Sequence, residues 1–162
     1  PLESCVITVG KIHGGTAPNI IPEEVILEGT LRTLNNDVRS VVPNQMKELV
    51  ETIAKSYGGS AKFEYLPGYP VLVNDDRMTE VTHNALKGFL KEEQIKIIEK
   101  PDMGGEDFAY IAQTVPSNFM YVGIMKDKPI SHHHPDFHFD DENLKLLSES
   151  LVRSAIAFLE KN

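Results

Sequence analysis

Residues 5–12 read CVITVGKI and residues 24–34 read EVILEGTLRTL, and these two stretches decide the fold of the first part of the chain. Both are rich in β-branched residues, which suit a pleated, half-buried strand. In the second, Val25, Leu27, Gly29 and Leu31 fall on one side and Ile26, Glu28, Thr30 and Arg32 on the other, the two-residue period of a strand. Gly14-Gly15 and the Pro18/Pro22 pair break the pattern between them, predicting an antiparallel pair with a loop at 14–22. Further out, residues 37–57 carry helical spacing at Val38, Val42, Leu49, Ile53 and Tyr57. Pro43 is expected to kink that helix or mark its true start. Gly58-Gly59 is expected to end it. Residues 61–66 (AKFEYL) then predict a further short strand, which completes a β-β-α-β unit.

Pro67-Gly68-Tyr69-Pro70 is the best boundary in the chain. Beyond it the spacing predicts a helix over about 76–91, with Met78, Val81, Ala85, Leu86, Phe89 and Leu90 on its apolar side. A strand at 95–99 follows, then a Met103-Gly104-Gly105 turn opening into a short helix from about Glu106 to Gln113. Residues 118–125 (NFMYVGIM) predict a strand buried on both faces, and 141–160 a last helix striped by Leu144, Leu147, Leu151, Ala155 and Phe158. The second part therefore reads α-β-α-β-α, and an α/β piece joined to an α+β piece fits a two-domain enzyme. The expected division is 1–69 and 70–162. The chain starts without Met at Pro1 and is in strand pattern by Val6, so it reads as one entered in mid-fold.

The 162 residues suffice for a sizeable core. A formal charge of −8 argues against general binding of nucleic acid or anionic membrane. No apolar run approaches the roughly 20 residues of a bilayer span. One cysteine, Cys5, allows neither an internal disulfide nor a zinc site built on paired cysteines. That fits a reducing compartment, and the cytoplasm is the expected location.

Three segments have the residue types for chemistry. Ser131-His132-His133-His134-Pro135-Asp136-Phe137-His138 holds four of the six histidines. Neutral imidazole is the commonest metal ligand, and adjacent side chains diverge, so one or two of the four are expected to point inward. The alternative is a solvated polar loop. Met103-Gly104-Gly105-Glu106-Asp107-Phe108 pairs glycines with two acids at a helix start, where backbone N–H groups favour an anion and the dipole favours carboxylates. It reads either as an active-site turn or as an ordinary helix start. Gly14-Gly15-Thr16-Ala17-Pro18-Asn19 precedes Arg32, whose planar fork suits a carboxylate. The plain alternative is a hairpin loop and a surface Arg. No Ser or Cys nucleophile motif, P-loop or dinucleotide fingerprint is present.

Taken in order, Gly14-Gly15-Thr16-Ala17 with Asn19-Ile20-Ile21-Pro22, Glu28-Gly29-Thr30-Leu31-Arg32-Thr33, Gly104-Gly105-Glu106-Asp107-Phe108-Ala109 and His133-His134-Pro135-Asp136-Phe137 resemble the M20 metallopeptidases. The nearest branch is the amidohydrolases of N-acyl amino acids, such as hippurate hydrolase and aminoacylase. The resemblance implies an α/β catalytic domain interrupted by an α+β, ferredoxin-like lid that dimerises. Residues 1–69 would be the end of the lid, and 70–162 the return into the catalytic domain.

By the same resemblance, His133 ligates a metal, Asn19 and Arg32 hold the substrate carboxylate, and Gly104, Gly105 and Glu106 line the pocket. Two divalent ions (Zn, Mn, Co or Ni) are implied for the intact enzyme, with a metal-bound water attacking the acyl carbonyl. The family's Cys-x-His, Glu-Glu pair, earlier His and general-base Glu are expected upstream of Pro1, so the 162 residues alone are expected to be inactive. The partners implied are a small N-acyl amino acid and a second copy joined through the lid. A di- or tripeptidase of the same superfamily and a non-catalytic dimerisation module are the competing readings.

Overall fold

In a computed structural model of the protein, the described residues are 3–124 and 130–160. They form two compact units: Pro1–Val71 with Lys100–Asp107, and Leu72–Glu99 with Phe108–Asn162.

The first unit is built on the expected hairpin. Strands β1 (Cys5–Gly14) and β2 (Val25–Thr33) pair antiparallel, from Cys5 opposite Thr33 to Gly14 opposite Val25. The register shifts between Val9 and Lys11, leaving Gly10 as the extra residue of a bulge. The bulge reverses the parity of β1. Val6 and Thr8 share a face with Arg32 and Thr30, whereas beyond the bulge Lys11 and His13 stand opposite Glu28 and Ile26. Ile7, Val9 and Ile12 therefore stay together on the other face with Leu31, Gly29 and Leu27. Lys11 Nζ donates to Glu28 Oε2 at 3.2 Å across the ladder. Glycine is required at 29, because a Cβ there would run into the carbonyl oxygen of Thr8.

Helix α1 (Asn36–Ser56) starts at a side-chain cap. Asn35 Oδ1 accepts from the N–H groups of Asp37 (2.7 Å) and Val38 (3.3 Å), satisfying two of the four orphan donors of the first turn. Pro43 neither starts nor ends the helix; it lies inside it, buried. The end comes where expected. Gly58 has φ +78°, its N–H donates to Lys55 O (3.0 Å) and that of Gly59 to Ala54 O (2.9 Å), a paired closure of the last turn. The strand expected at 61–66 is not formed: the described residues contain one two-stranded sheet, and this run has no ladder partner in it.

In the second unit, α2 (Asp76–Lys87) is capped by Asp75, whose Oδ1 accepts from Met78 N–H at 2.9 Å. It ends at Lys87, four residues earlier than the spacing predicts, with Gly88 as its C-cap. It packs on α4 (Glu142–Glu160). Val81 is buried on α2 and Ser150 on α4. The buried and half-buried stripe of α4 is Asn143, Leu146, Ser150, Ser154 and Ala157, one position away from the leucine stripe, whose Leu144, Leu147 and Leu151 are exposed. The small serines are self-sufficient within the helix, Ser150 Oγ donating to Leu146 O and Ser154 Oγ to Ser150 O, each at 2.7 Å.

The runs expected as strands at 95–99 and 118–125 form no ladder among the described residues, and Met125 lies outside them. Ile97 and Ile98 are exposed. Residues 118–124 are held by side chains instead. Asn74 reproduces a ladder step, its Oδ1 accepting from Phe119 N–H (2.8 Å) and its Nδ2 donating to Phe119 O (2.9 Å). Asn143 Nδ2 donates to Ile124 O at 3.1 Å. Burial alternates over 120–124, Tyr121 and Gly123 being exposed, so that stretch is not buried on both faces. Among the described residues no helix is long and apolar enough to cross a membrane.

Candidate functional site

In the first unit, β2 carries Arg32 one residue before its end, exposed, opposite Val6. Arg32 Nη1 donates to the carbonyl of Met103 at 2.7 Å. Two segments 71 residues apart in sequence are thus joined at the Gly104-Gly105 turn. The turn is shaped locally by Asp102, whose Oδ1 accepts from Gly104 N–H at 2.5 Å. On its other side the nearest carbon is the Tyr69 ring: a Cβ on Gly105 would lie 3.5 Å from Tyr69 Cδ2. Tyr69 is held in turn from α1. Arg39 Nη2 donates to Gly68 O at 2.6 Å, and Asn36 Oδ1 accepts from Val71 N–H at 3.3 Å.

Two expectations for this segment change. Lys100–Asp107 belongs to the first unit, with Arg32, although the sequence grouped Gly104, Gly105 and Glu106 with residues 70–162. The short helix α3 spans Phe108–Ala112, so Glu106 and Asp107 precede it and do not form its first turn. The amide of Gly104 is taken up by Asp102 and is not displayed to an anion. Glu106 is half-buried.

Asn19 is exposed in the loop between the strands, where Ile20 N–H donates to Ala17 O at 3.3 Å. That loop leaves from the Gly14/Val25 end of the hairpin, whereas Arg32 is seven residues along β2. At a strand rise of roughly 3.3 Å per residue the two ends are roughly 20 Å apart. Asn19 and Arg32 thus lie toward opposite ends of the hairpin ladder.

In the second unit, the histidine loop is a tight turn: His134 N–H donates to Ser131 O (3.2 Å) and Phe137 N–H to His134 O (3.0 Å). Three of the four rings are engaged inside it. His132 meets the Phe137 ring edge-on at 5.3 Å. His134 Nδ1 accepts from Asp136 N–H at 3.1 Å, which puts the proton of the neutral ring on Nε2 and leaves no free lone pair for a cation. His138 Nδ1 lies 3.0 Å from Asp136 O; a carbonyl only accepts, so that nitrogen carries the proton and Nε2 is left open.

His133 differs from the rest. It is exposed and, among the described residues, makes no recorded hydrogen bond, ion pair or ring contact. Its φ of +67° makes it the one described non-glycine residue in the left-handed region. Such a conformation costs about 1–2 kcal/mol and is characteristic of functional positions. The open Nε2 of His138 was not anticipated; its signal in the sequence is only the nearby Asp136. Among the described residues no three His, Cys, Asp or Glu side chains converge to hold a metal ion.

The profile of "Peptidase family M20/M25/M40" matches residues 4–157. The chain is 34% identical over 163 residues to an N-acetyl-L-cysteine deacetylase of Bacillus subtilis (strain 168), covering all of this chain and 38% of that protein. It is 32% identical over 154 residues to an N-acetyldiaminopimelate deacetylase of Streptococcus sanguinis (strain SK36), covering 93% and 39%. Its structure superposes on the Bacillus subtilis YXEP protein, described as a dinuclear metal binding peptidase from the M20 family, with a TM-score of 0.81 and 30% identity, covering 98% of this chain and 43% of that one. The chain thus spans about two fifths of the length of the relatives it matches. With its four ordered motifs and a family match over nearly its whole length, the chain belongs to peptidase family M20/M25/M40.

Proposed function

We propose that this chain is the part of an M20 amidohydrolase that grips an N-acyl amino acid and adds one imidazole, His133, to a two-metal centre whose other ligands and general-base carboxylate lie outside these 162 residues. The observation that carries the reading is the Arg32–Met103 bond, because it joins two segments that the resemblance assigns to one pocket. One N–H of Arg32 is spent on the Met103 carbonyl; a guanidinium has five, so its remaining donors are available for a substrate carboxylate. The deacetylase names of the relatives support an acyl amino acid as substrate. The open, strained His133 supports the ligand assignment. A cytoplasmic setting belongs to the same proposal.

Arg32→Ala in the enzyme containing this chain should lower turnover of an N-acyl amino acid about 10- to 100-fold, the effect of a lost hydrogen bond to a charged group. Turnover of the matching uncharged acyl amide should change far less. Equal loss on both substrates rejects the carboxylate role. Profiling di- and tripeptides against N-acyl amino acids separates the peptidase reading.

Asn19, at the other end of the hairpin, would reach the carboxylate from the partner subunit of a homodimer. If two hairpins pair edge to edge and antiparallel, the loop end of one stands beside the Arg32 end of the other. Mixing the impaired Asn19→Ala and Arg32→Ala proteins should then raise turnover above that of either alone, and no recovery removes the shared-site dimer.

A further inference from the structure

We infer that Arg39 is a positioning residue for the Gly104-Gly105 turn, acting through backbone and a ring without touching substrate. The turn is held from two sides by two arginines of the same unit. Arg32 takes the Met103 carbonyl at 2.7 Å. Arg39 takes the Gly68 carbonyl at 2.6 Å, and the next residue, Tyr69, has its ring where a Cβ on Gly105 would meet it at 3.5 Å.

Arg39 is well based for this work. It stands in the first turns of α1, where its own N–H donates to Asn35 O at 3.0 Å and the Asn35 side chain caps the helix. Asn36, three residues earlier, holds Val71 N–H, so residues 68 and 71 are tied to one helical turn. A planar guanidinium on a capped helix restrains its acceptor more closely than a mobile ammonium does. The turn itself has little of its own to fix it: two glycines and one Asp102–Gly104 bond.

The test is hydrogen exchange on the protein, resolved over residues 68–71 and 100–107, with Arg39→Met and Arg39→Lys beside the wild type. Arg39→Met should raise exchange about tenfold in both stretches, the loss of one charged hydrogen bond, with α4 and the β1–β2 ladder unchanged. Arg39→Lys, which keeps a donor, should restore part of the protection. Unchanged exchange at 100–107, or a rise spread over the whole unit, overturns the inference, the latter because it marks a merely structural residue.

The second arm rests on the proposed function. In the enzyme containing this chain, Arg39→Met should raise KM for an N-acyl amino acid several-fold, with kcat within about twofold. A fall in kcat at constant KM overturns the inference. Absence of N-acyl amino acid turnover in the wild type overturns the proposed function alone, and the exchange result then decides for Arg39.

Discussion

A single dihedral separates His133 from its neighbours. His132, His133 and His134 are chemically identical and adjacent in sequence, yet only His133 has φ +67° and an unengaged ring. Composition cannot distinguish them; the Pro135 and Phe137 register singled out His133 by resemblance, and backbone geometry offers a physical reason that no side-chain pattern contains. The conformation also suggests the substitution. Asn tolerates the left-handed region and lacks an imidazole. His133→Asn should leave stability within about 0.5 kcal/mol by thermal melting, while the enzyme containing the chain loses metal-supported turnover. His134→Asn should cost little activity, since its ring is tied to Asp136. Loss of turnover confined to His134→Asn would transfer the ligand role.

The elements show where apolar spacing succeeds and where it misleads. On α2 the spacing found the right face: Met78, Val81, Ala85 and Leu86 are buried or half-buried. On α4 it picked the bulkiest stripe, whereas the buried stripe is the neighbouring one, with Ser150 at its centre. A hydrophobicity pattern weights size, and close helix packing rewards small residues; the serines were legible only as polar interruptions. One helix end was clear, the close of α1 at Gly58, which takes a positive φ; the Asn35 and Asp75 caps were not singled out by the sequence. Removing either cap, by Asn35→Ala or Asp75→Ala, should cost about 1 kcal/mol in denaturant unfolding.

On the hairpin, Gly29→Ala should cost more than about 2 kcal/mol, since the added carbon meets the Thr8 carbonyl. Gly10→Ala, with open space around it, should cost well under half of that. Similar losses at both positions would contradict the bulge geometry. The extended run 61–66 carries an exposed Lys62–Glu64 pair at 2.5 Å. The hydrogen bond from Lys62, then its charge, holds the Glu64 carboxyl below its ordinary range. The pair's small contribution is present above the ordinary carboxylate range and is lost as pH falls through the lowered value, and water screens it throughout.

At the scale of the whole molecule, the first run of the first unit stops at Val71, just past Pro67-Gly68-Tyr69-Pro70. The return of Lys100–Asp107 to the first unit was not legible, because it depends on one arginine finding a backbone carbonyl 71 residues away. Strands suffered most: a lone extended run has no ladder until a neighbour supplies one, and 61–66, 95–99 and 118–124 have none among the described residues. The 162 residues alone, given Mn²⁺, Co²⁺ or Zn²⁺, should show no N-acyl amino acid hydrolysis, since no three donors converge among the described residues. Turnover abolished by His133→Ala would refute that.

The looping back of Lys100–Asp107 also sets a timetable. On the ribosome the hairpin and α1 emerge first, but the first unit lacks its last segment until Asp107 has been made, by which time α2 of the second unit is already outside the tunnel or in it. Neither unit can be cut out as one uninterrupted stretch, and a truncation at Val71 would yield a first unit whose Arg32 has lost the carbonyl it holds.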